Sequence, residues 1–238
     1  MGAIHVESSV ETLNARLDAV RGRIRAAAER AGRSPEDIAL VVVTKGVPAE
    51  RIHAAAALGV ADFGESRLQE ALPKIVALDA EAIRWHLVGH LQRNKARRAA
   101  GVFALIHSVD SPALAETLAG RGETQGRSVP VLLQVNVARE PGKRGFAPAE
   151  VLPAARRLQR LAGLRLEGLM TIAPLVRDPE EVRPIFRQLR RLGEALREEA
   201  PEAGHLSMGM SDDFEVAIEE GATLIRVGRA LFCERPTP

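Results

Sequence analysis

Residues 39–50 read ALVVVTKGVPAE, and the fold turns on how this stretch is taken. Its first five residues form an unbroken aliphatic run rich in β-branched side chains. The run is short for a helix and lacks the polar alternation of a half-exposed strand. A strand buried on both faces has this pattern, and parallel sheets covered by helices produce such strands. The strand is expected over 38–45, so Lys45 stands as its last residue. A period of two sets Val41, Val43 and Lys45 on one side.

Working outward, apolar β-rich runs recur at 60–64, 84–90, 102–109, 130–137, 164–172, 205–210 and 223–228, with helical patterns between them. Eight strands alternating with helices predict βαβ units closing into a (β/α)8 TIM barrel over 38–232. An open doubly wound sheet is the alternative, but it calls for a glycine-rich fingerprint after its first strand, which TKGVPAE is not. Upstream, Ser8 and Glu11 have capping-box spacing, and Val10, Leu13, Leu17, Val20 and Ile24 follow at steps of three and four. They predict an extra N-terminal helix within 1–34, ended by Gly32 with Pro35 beyond. Late in the chain, Asp178 to Glu181 resemble a cap for a helix over 178–199. Pro184 then means that this helix either kinks or starts later. Barrels of this kind occupy about 200–250 residues as one domain. The 238 residues are accordingly expected to form one domain, with a frayed ERPTP tail.

Composition narrows the class. Hydrophobic residues make up 46% and charged residues 27%, which suits a globular core and carries no disorder signature. The formal net charge is +2 and the arginines interleave with glutamates, so no basic face for nucleic acid is indicated. Cys233 is the single cysteine, which rules out an internal disulfide and a cysteine-cluster metal site; it reads as an inert thiol. The longest aliphatic run is far below the ~18 residues of a membrane span, and the start has no signal-like pattern. A cytoplasmic protein with no metal is expected, and no apolar stripe demands a partner, so monomer is preferred.

Candidate chemistry concentrates at the C-terminal ends of the strands, the active face of such barrels. Lysine is scarce, occurring only at 45, 74, 95 and 143. A lysine retained among so many arginines suggests a role for an amine with a free pair. Partly desolvated at a strand end, Lys45 is expected to have a lowered pKa and to form a Schiff base. The plainer reading is a rim lysine beside a carboxylate, in a barrel without a cofactor. Ser211 reads as the N-cap of a helix opened by two aspartates, and Gly228 as a point of close backbone approach before a short helical tail. These are the loops after strands seven and eight, where barrels often bind phosphate. In ATLIRVG, residues 222–228, Ile225 and Val227 share one face while Leu224 and Arg226 share the other. Arg226 then points into the barrel, towards either an ion pair such as one with Glu167 or a bound ligand. An aldehyde-reactive lysine, a phosphate cradle and a buried cation together describe a site for pyridoxal 5′-phosphate (PLP). An arginine at the pyridine nitrogen keeps that nitrogen unprotonated and weakens the ring as an electron sink.

These residues lie in blocks that resemble the pyridoxal phosphate homeostasis protein family, whose barrel is similar to the alanine racemase N-terminal domain. The blocks are VTKGVPAE, FGESRLQEALPK, WHLVGHLQRNK, IHSVDS, LLQVNVAREPGKRGF, GLMTIAP and LSMGMSDDFEVAIEEGATLIRVGRALF. The resemblance implies that Lys45 forms an aldimine with PLP, that Ser211, Gly228 and the backbone near Met210 and Arg229 hold its phosphate, and that Arg226 meets its ring nitrogen. Ser66 stands where the family commonly has asparagine, so a shorter or absent contact is expected there. His86 is a candidate for packing against the ring. The implied role is a PLP carrier or buffer, with possible delivery to apo-enzymes. The alternative is a weak amino-acid racemase. Racemases of this barrel type use a second acid–base group, a tyrosine, and this chain has none. His86, His90 or His107 would have to serve. Lys143, in a loop that reads as mobile and exposed, is a candidate secondary acceptor.

Overall fold

In the computed structural model, which describes residues 3–78 and 83–232, the helix α1 (Ala3–Arg30) precedes eight parallel strands. The strands are β1 (Ala39–Val43), β2 (Asp62–Glu65), β3 (Arg84–Leu87), β4 (Leu105–Val109), β5 (Val129–Gln134), β6 (Leu164–Met170), β7 (His205–Ser207) and β8 (Leu224–Val227). They pair in sequence order, and β1 also pairs β8, so the sheet closes into a barrel. The helices between and after them are α2 (Ala49–Ala57), α3 (Leu68–Leu78), α4 (Ala96–Ala99), α5 (Pro112–Thr124), α6 (Val151–Leu158), α7 (Arg183–Glu199), α8 (Phe214–Glu219) and α9 (Arg229–Phe232).

The expected (β/α)8 barrel with its extra helix is what the chain forms. Period two explains the layering. Val42, Ile225 and Val227 face outward into the core beneath the helices, whereas Val41, Leu105, Leu132, Met170 and Leu224 form a separate apolar cluster inside the barrel. Strand ends differ from expectation: β1 stops at Val43 and β3 at Leu87. After Val43 the chain bends into a turn in which Val47 N–H donates to Thr44 C=O at 3.0 Å and Gly46 takes φ +71°. Only glycine adopts that conformation cheaply, so Lys45 sits on a turn beyond the strand.

Helix α1 starts at Ala3, so Ser8 lies within it and is not its N-cap. No breaker interrupts the sequence before Ser8, so the helix simply begins earlier. Its stripe of Leu13, Leu17, Val20 and Ile24 is buried, each such side chain contributing about 1.5–3 kcal/mol of transfer free energy. Arg23 docks the helix on α8 by a 2.6 Å ion pair with Glu215 and by stacking over Phe214. The α7 question resolves as a late start: a 3-10 turn over Pro179–Val182 precedes Arg183, and Pro184 occupies the first helical turn, where no backbone donor is missed. Cys233 and the ERPTP tail lie outside the described residues. Among the described residues no helix is long and apolar enough to cross a membrane.

Candidate functional site

A cavity of about 240 Å³ opens at the C-terminal ends of the strands. Lys45 and Ser66 stand on one side of it, and Met210, Ser211, Gly228 and Arg229 on the other, with Arg226 in its wall. Larger hollows exist, including one of about 320 Å³ beneath α1. The smaller one is the better candidate because an amine, a buried guanidinium and two backbone turns converge on it. Lys45 is exposed at its rim, which corrects the expectation of a desolvated strand-end lysine. The turn that ends β1 lifts the side chain clear of the barrel wall.

The turn carrying Lys45 is gripped on both flanks. Lys74, on α3, donates to Thr44 C=O at 2.7 Å, to Glu65 Oε1 at 2.7 Å and to Glu70 Oε1 at 2.8 Å. Three acceptors match the three protons of one ammonium, a task that a planar guanidinium fits poorly. Glu70 in turn accepts the Gly46 N–H. Glu65 is fully buried and also accepts from the Thr44 hydroxyl at 2.7 Å. The sequence shows the Glu70–Lys74 spacing of one helical turn. It does not show that α3 brings this pair to the end of β1, so the clamp was missed.

Arg226 is buried and points inward as its strand phase predicts. It pairs with no glutamate: Nη1 donates to Ser207 Oγ at 2.5 Å and Nη2 to Thr171 C=O at 2.8 Å. Glu167 instead holds Arg165 at 2.6 Å. Burial pushes the Arg226 pKa down to about 10, with Asp213 opposing the shift, so the side chain remains a cation at neutral pH.

Ser211 does not cap α8, whose N-cap is Asp213. Its hydroxyl instead accepts the Ala230 N–H at 3.3 Å, joining the loop after β7 to the first turn of α9. Asp213 steadies the same loop by accepting the Met210 N–H at 2.5 Å, and burial raises its pKa. Arg229 pairs with Asp212 across the two loops. Gly228 is required by packing, since a Cβ there would sit 2.8 Å from Val43 C=O. Gly89 is equally constrained, with Ser66 C=O 2.2 Å from the Cβ it lacks. Val43, Val88, Gly89 and Ile172 complete the lining. Of these four, only Val43 was placed from sequence on the side of Lys45; Val88 and Ile172 look like core until the loops part around them.

His86 does not line this cavity. Val88, two residues further along the same strand face, does. His86 lies one repeat deeper, with Nε2 3.0 Å from Asp62 Oδ1 and Nδ1 2.9 Å from His107 Nε2. His107 is fully buried, and burial first, then His86 and Arg226, pushes its pKa well down. His90 is exposed beside Asp110, 3.2 Å away, and lines a neighbouring hollow that shares Ser66 and Gly89 with the site. Lys143 is exposed and ion-paired to Glu140. Its loop is stitched rather than loose: the Asn136 side chain bonds Glu140 C=O, Lys143 C=O and Glu140 N–H, and Phe146 N–H donates to Gln134 C=O at 2.8 Å. Among the described residues no cluster of three or more metal-ligating side chains occurs.

The family model described as alanine racemase, N-terminal domain, matches residues 15–236. The pyridoxal phosphate homeostasis protein of Aquifex aeolicus (strain VF5) is 43% identical over 92% of this chain and 97% of its own length. The chain belongs to the pyridoxal phosphate homeostasis protein family. Its counterpart in Pseudomonas aeruginosa is 40% identical over 95% of this chain and 97% of that one. Among solved structures, PipY of Synechococcus elongatus PCC7942 with PLP bound is 39% identical, covers 92% of this chain and 99% of its own, and superposes with a TM-score of 0.80.

Proposed function

We propose that this chain binds PLP at the strand-end cavity and acts in intracellular PLP homeostasis, as a buffer or carrier that releases the cofactor to apo-enzymes. The observation that carries the reading is the pairing of a rim amine, Lys45, with the buried Arg226 cation across one small cavity. The donor set fits the group. Ser211, held by the Ala230 N–H, lines the cavity beside Gly228 and Arg229, which sets a hydroxyl, a close backbone approach and a cation where a phosphate would lie. Arg226 spends two of its five N–H groups on Ser207 and Thr171.

Bound PLP would supply an aldehyde, and Lys45 would present the amine that holds it reversibly. The clamp of Lys74, Glu65 and Glu70 orients the turn that carries this amine. Lys74 itself is engaged by Thr44, Glu65 and Glu70 and does not line the cavity. Arg226, a cation at neutral pH in the cavity wall, would face the ring nitrogen and disfavour a proton there. Ser66 contributes a short polar contact at most.

Turnover needs a second proton-transferring group within reach of the bound molecule. The chain has no tyrosine, His86 and His107 bond one another inside the barrel, and His90 pairs with Asp110 and lines the neighbouring hollow, not this cavity. We therefore favour a non-catalytic carrier, monomeric and cytoplasmic, over an amino-acid racemase. Titration with PLP should give a near-ultraviolet to visible band that Lys45→Ala removes, and amino acids incubated with the loaded protein should not exchange their Cα proton for deuterium. A band that persists in Lys45→Ala, or rapid exchange, would overturn the reading.

A further inference from the structure

A continuous line of buried polar groups crosses the barrel from Arg226 to its opposite face. Arg226 Nη1 contacts Ser207 Oγ at 2.5 Å, Ser207 Oγ contacts His107 Nδ1 at 2.8 Å, His107 Nε2 contacts His86 Nδ1 at 2.9 Å, and His86 Nε2 contacts Asp62 Oδ1 at 3.0 Å. Asp62 is the first residue of β2 and is held bidentately by Arg84, the first residue of β3, at 2.7 and 2.6 Å. An apolar cluster that includes Val41, Leu105, Leu132 and Met170 also lies inside the barrel, and Arg226, Ser207, His107 and His86 are all buried, so the line is shielded from solvent along most of its length.

The direction of the protons follows from the ends. A guanidinium only donates, so Ser207 Oγ accepts from Arg226. The Ser207 hydroxyl proton then has His107 Nδ1 as its acceptor. With Nδ1 accepting, a neutral His107 carries its proton on Nε2 and donates to His86 Nδ1. His86 likewise keeps its proton on Nε2 and donates to the Asp62 carboxylate. The reverse direction needs a doubly protonated His86, and it leaves the Ser207 hydroxyl proton with no acceptor in the cluster. Burial keeps His107 neutral, which agrees with the forward order.

We propose that Ser207, His107 and His86 are positioning residues for Arg226: a one-way chain of hydrogen bonds links the guanidinium to the distant Asp62 carboxylate and holds its remaining N–H groups towards the cavity. A buried cation without an adjacent anion is costly unless its charge is spread through aligned dipoles. Among the described residues no carboxylate pairs directly with Arg226, although Asp213 acts on it through space. The chain supplies that compensation and removes the freedom of the side chain to swing.

The second half of this inference rests on the PLP reading; the first half concerns the protein alone. In apo-protein labelled with ¹⁵N-histidine, both His86 and His107 should show the neutral Nε2–H pattern at pH 7.5. A Nδ1–H tautomer at His107, or a doubly protonated His86, would overturn the chain whether or not PLP binds. Ser207→Ala should weaken PLP binding about tenfold, the scale of one hydrogen bond to a charged group, and Ser207→Thr should restore it. Binding of the 1-deaza carbocyclic analogue, which lacks the ring nitrogen, should be the same in all three proteins. Equal losses for both ligands, or no loss for either, would show that Ser207 does not act through Arg226. Failure of the wild-type protein to bind either ligand would refute the PLP reading and the aim of Arg226, leaving the tautomers to decide the chain.

Discussion

Replacing Lys74 with methionine removes the ammonium that joins Thr44, Glu65 and Glu70. The Lys74 side chain is 11% exposed and that of Glu65 is 0% exposed. Glu65 Oε2 already has no partner among the described residues, so the variant leaves a buried carboxylate with the Thr44 hydroxyl alone. Losing one partner of such a pair costs about 3–5 kcal/mol. Glu70 is at the surface and regains water at little cost. For a chain of this size about 3 kcal/mol corresponds to a fall in Tm of roughly 6–12 °C. The assay is thermal and urea unfolding followed by Trp85, the only tryptophan, which packs against Phe63 on the strand that carries Glu65. Glu65→Leu combined with Lys74→Met should recover more than half of the loss, because two apolar groups leave no stranded charge. A Lys74→Met protein within about 0.5 kcal/mol of wild type, or a double variant as unstable as the sum of the singles, would refute this account of the clamp.

Three further outcomes are expected. Burial would raise the Asp62 pKa, but hydrogen bonds from His86 and Arg84 bring it down to about 2. A depressed carboxyl stabilises the fold above its unfolded pKa and loses that contribution as pH falls towards 2. Asp62→Asn should therefore lower stability at pH 7 by about 1 kcal/mol, allowing for partial exposure, and the gap to wild type should close near pH 2 in urea melts. Gly228→Ala should cost about 1–3 kcal/mol by forcing β8 away from Val43; an unchanged Tm would contradict the packing reason for this glycine. Lys143→Ala should slow transfer of PLP to an apo-enzyme while leaving the absorption band of the loaded protein intact, and equal transfer rates would remove Lys143 from the release path.

The barrel was legible because period-two burial is a local property. Val41 and Val43 face one way, Ile225 and Val227 the other way from Arg226, and eight such runs separated by helices leave few alternatives. Lys45, Ser66, Met210, Ser211, Arg226, Gly228 and Arg229 do gather at one cavity, since each follows or ends a strand on the same face of the barrel. What sequence could not give is where strands stop and which distant groups meet. The turn at Gly46 cuts β1 short, so Lys45 stands exposed rather than desolvated. Ser211 is captured by Ala230, nineteen residues away, in preference to capping its own helix. His86 has the right strand but the wrong depth, because its position along β3 depends on the stagger of the closed barrel.

The central claim is that Lys45 bonds PLP in a cavity whose far wall is Arg226. Incubation of the protein with PLP, reduction with borohydride, digestion and mass spectrometry test it directly. The account predicts a pyridoxyl-phosphate adduct on the peptide containing Lys45 and loss of that adduct in Lys45→Ala. A stoichiometric adduct on Lys74, Lys95 or Lys143 of the wild-type protein, or no adduct anywhere, would contradict it.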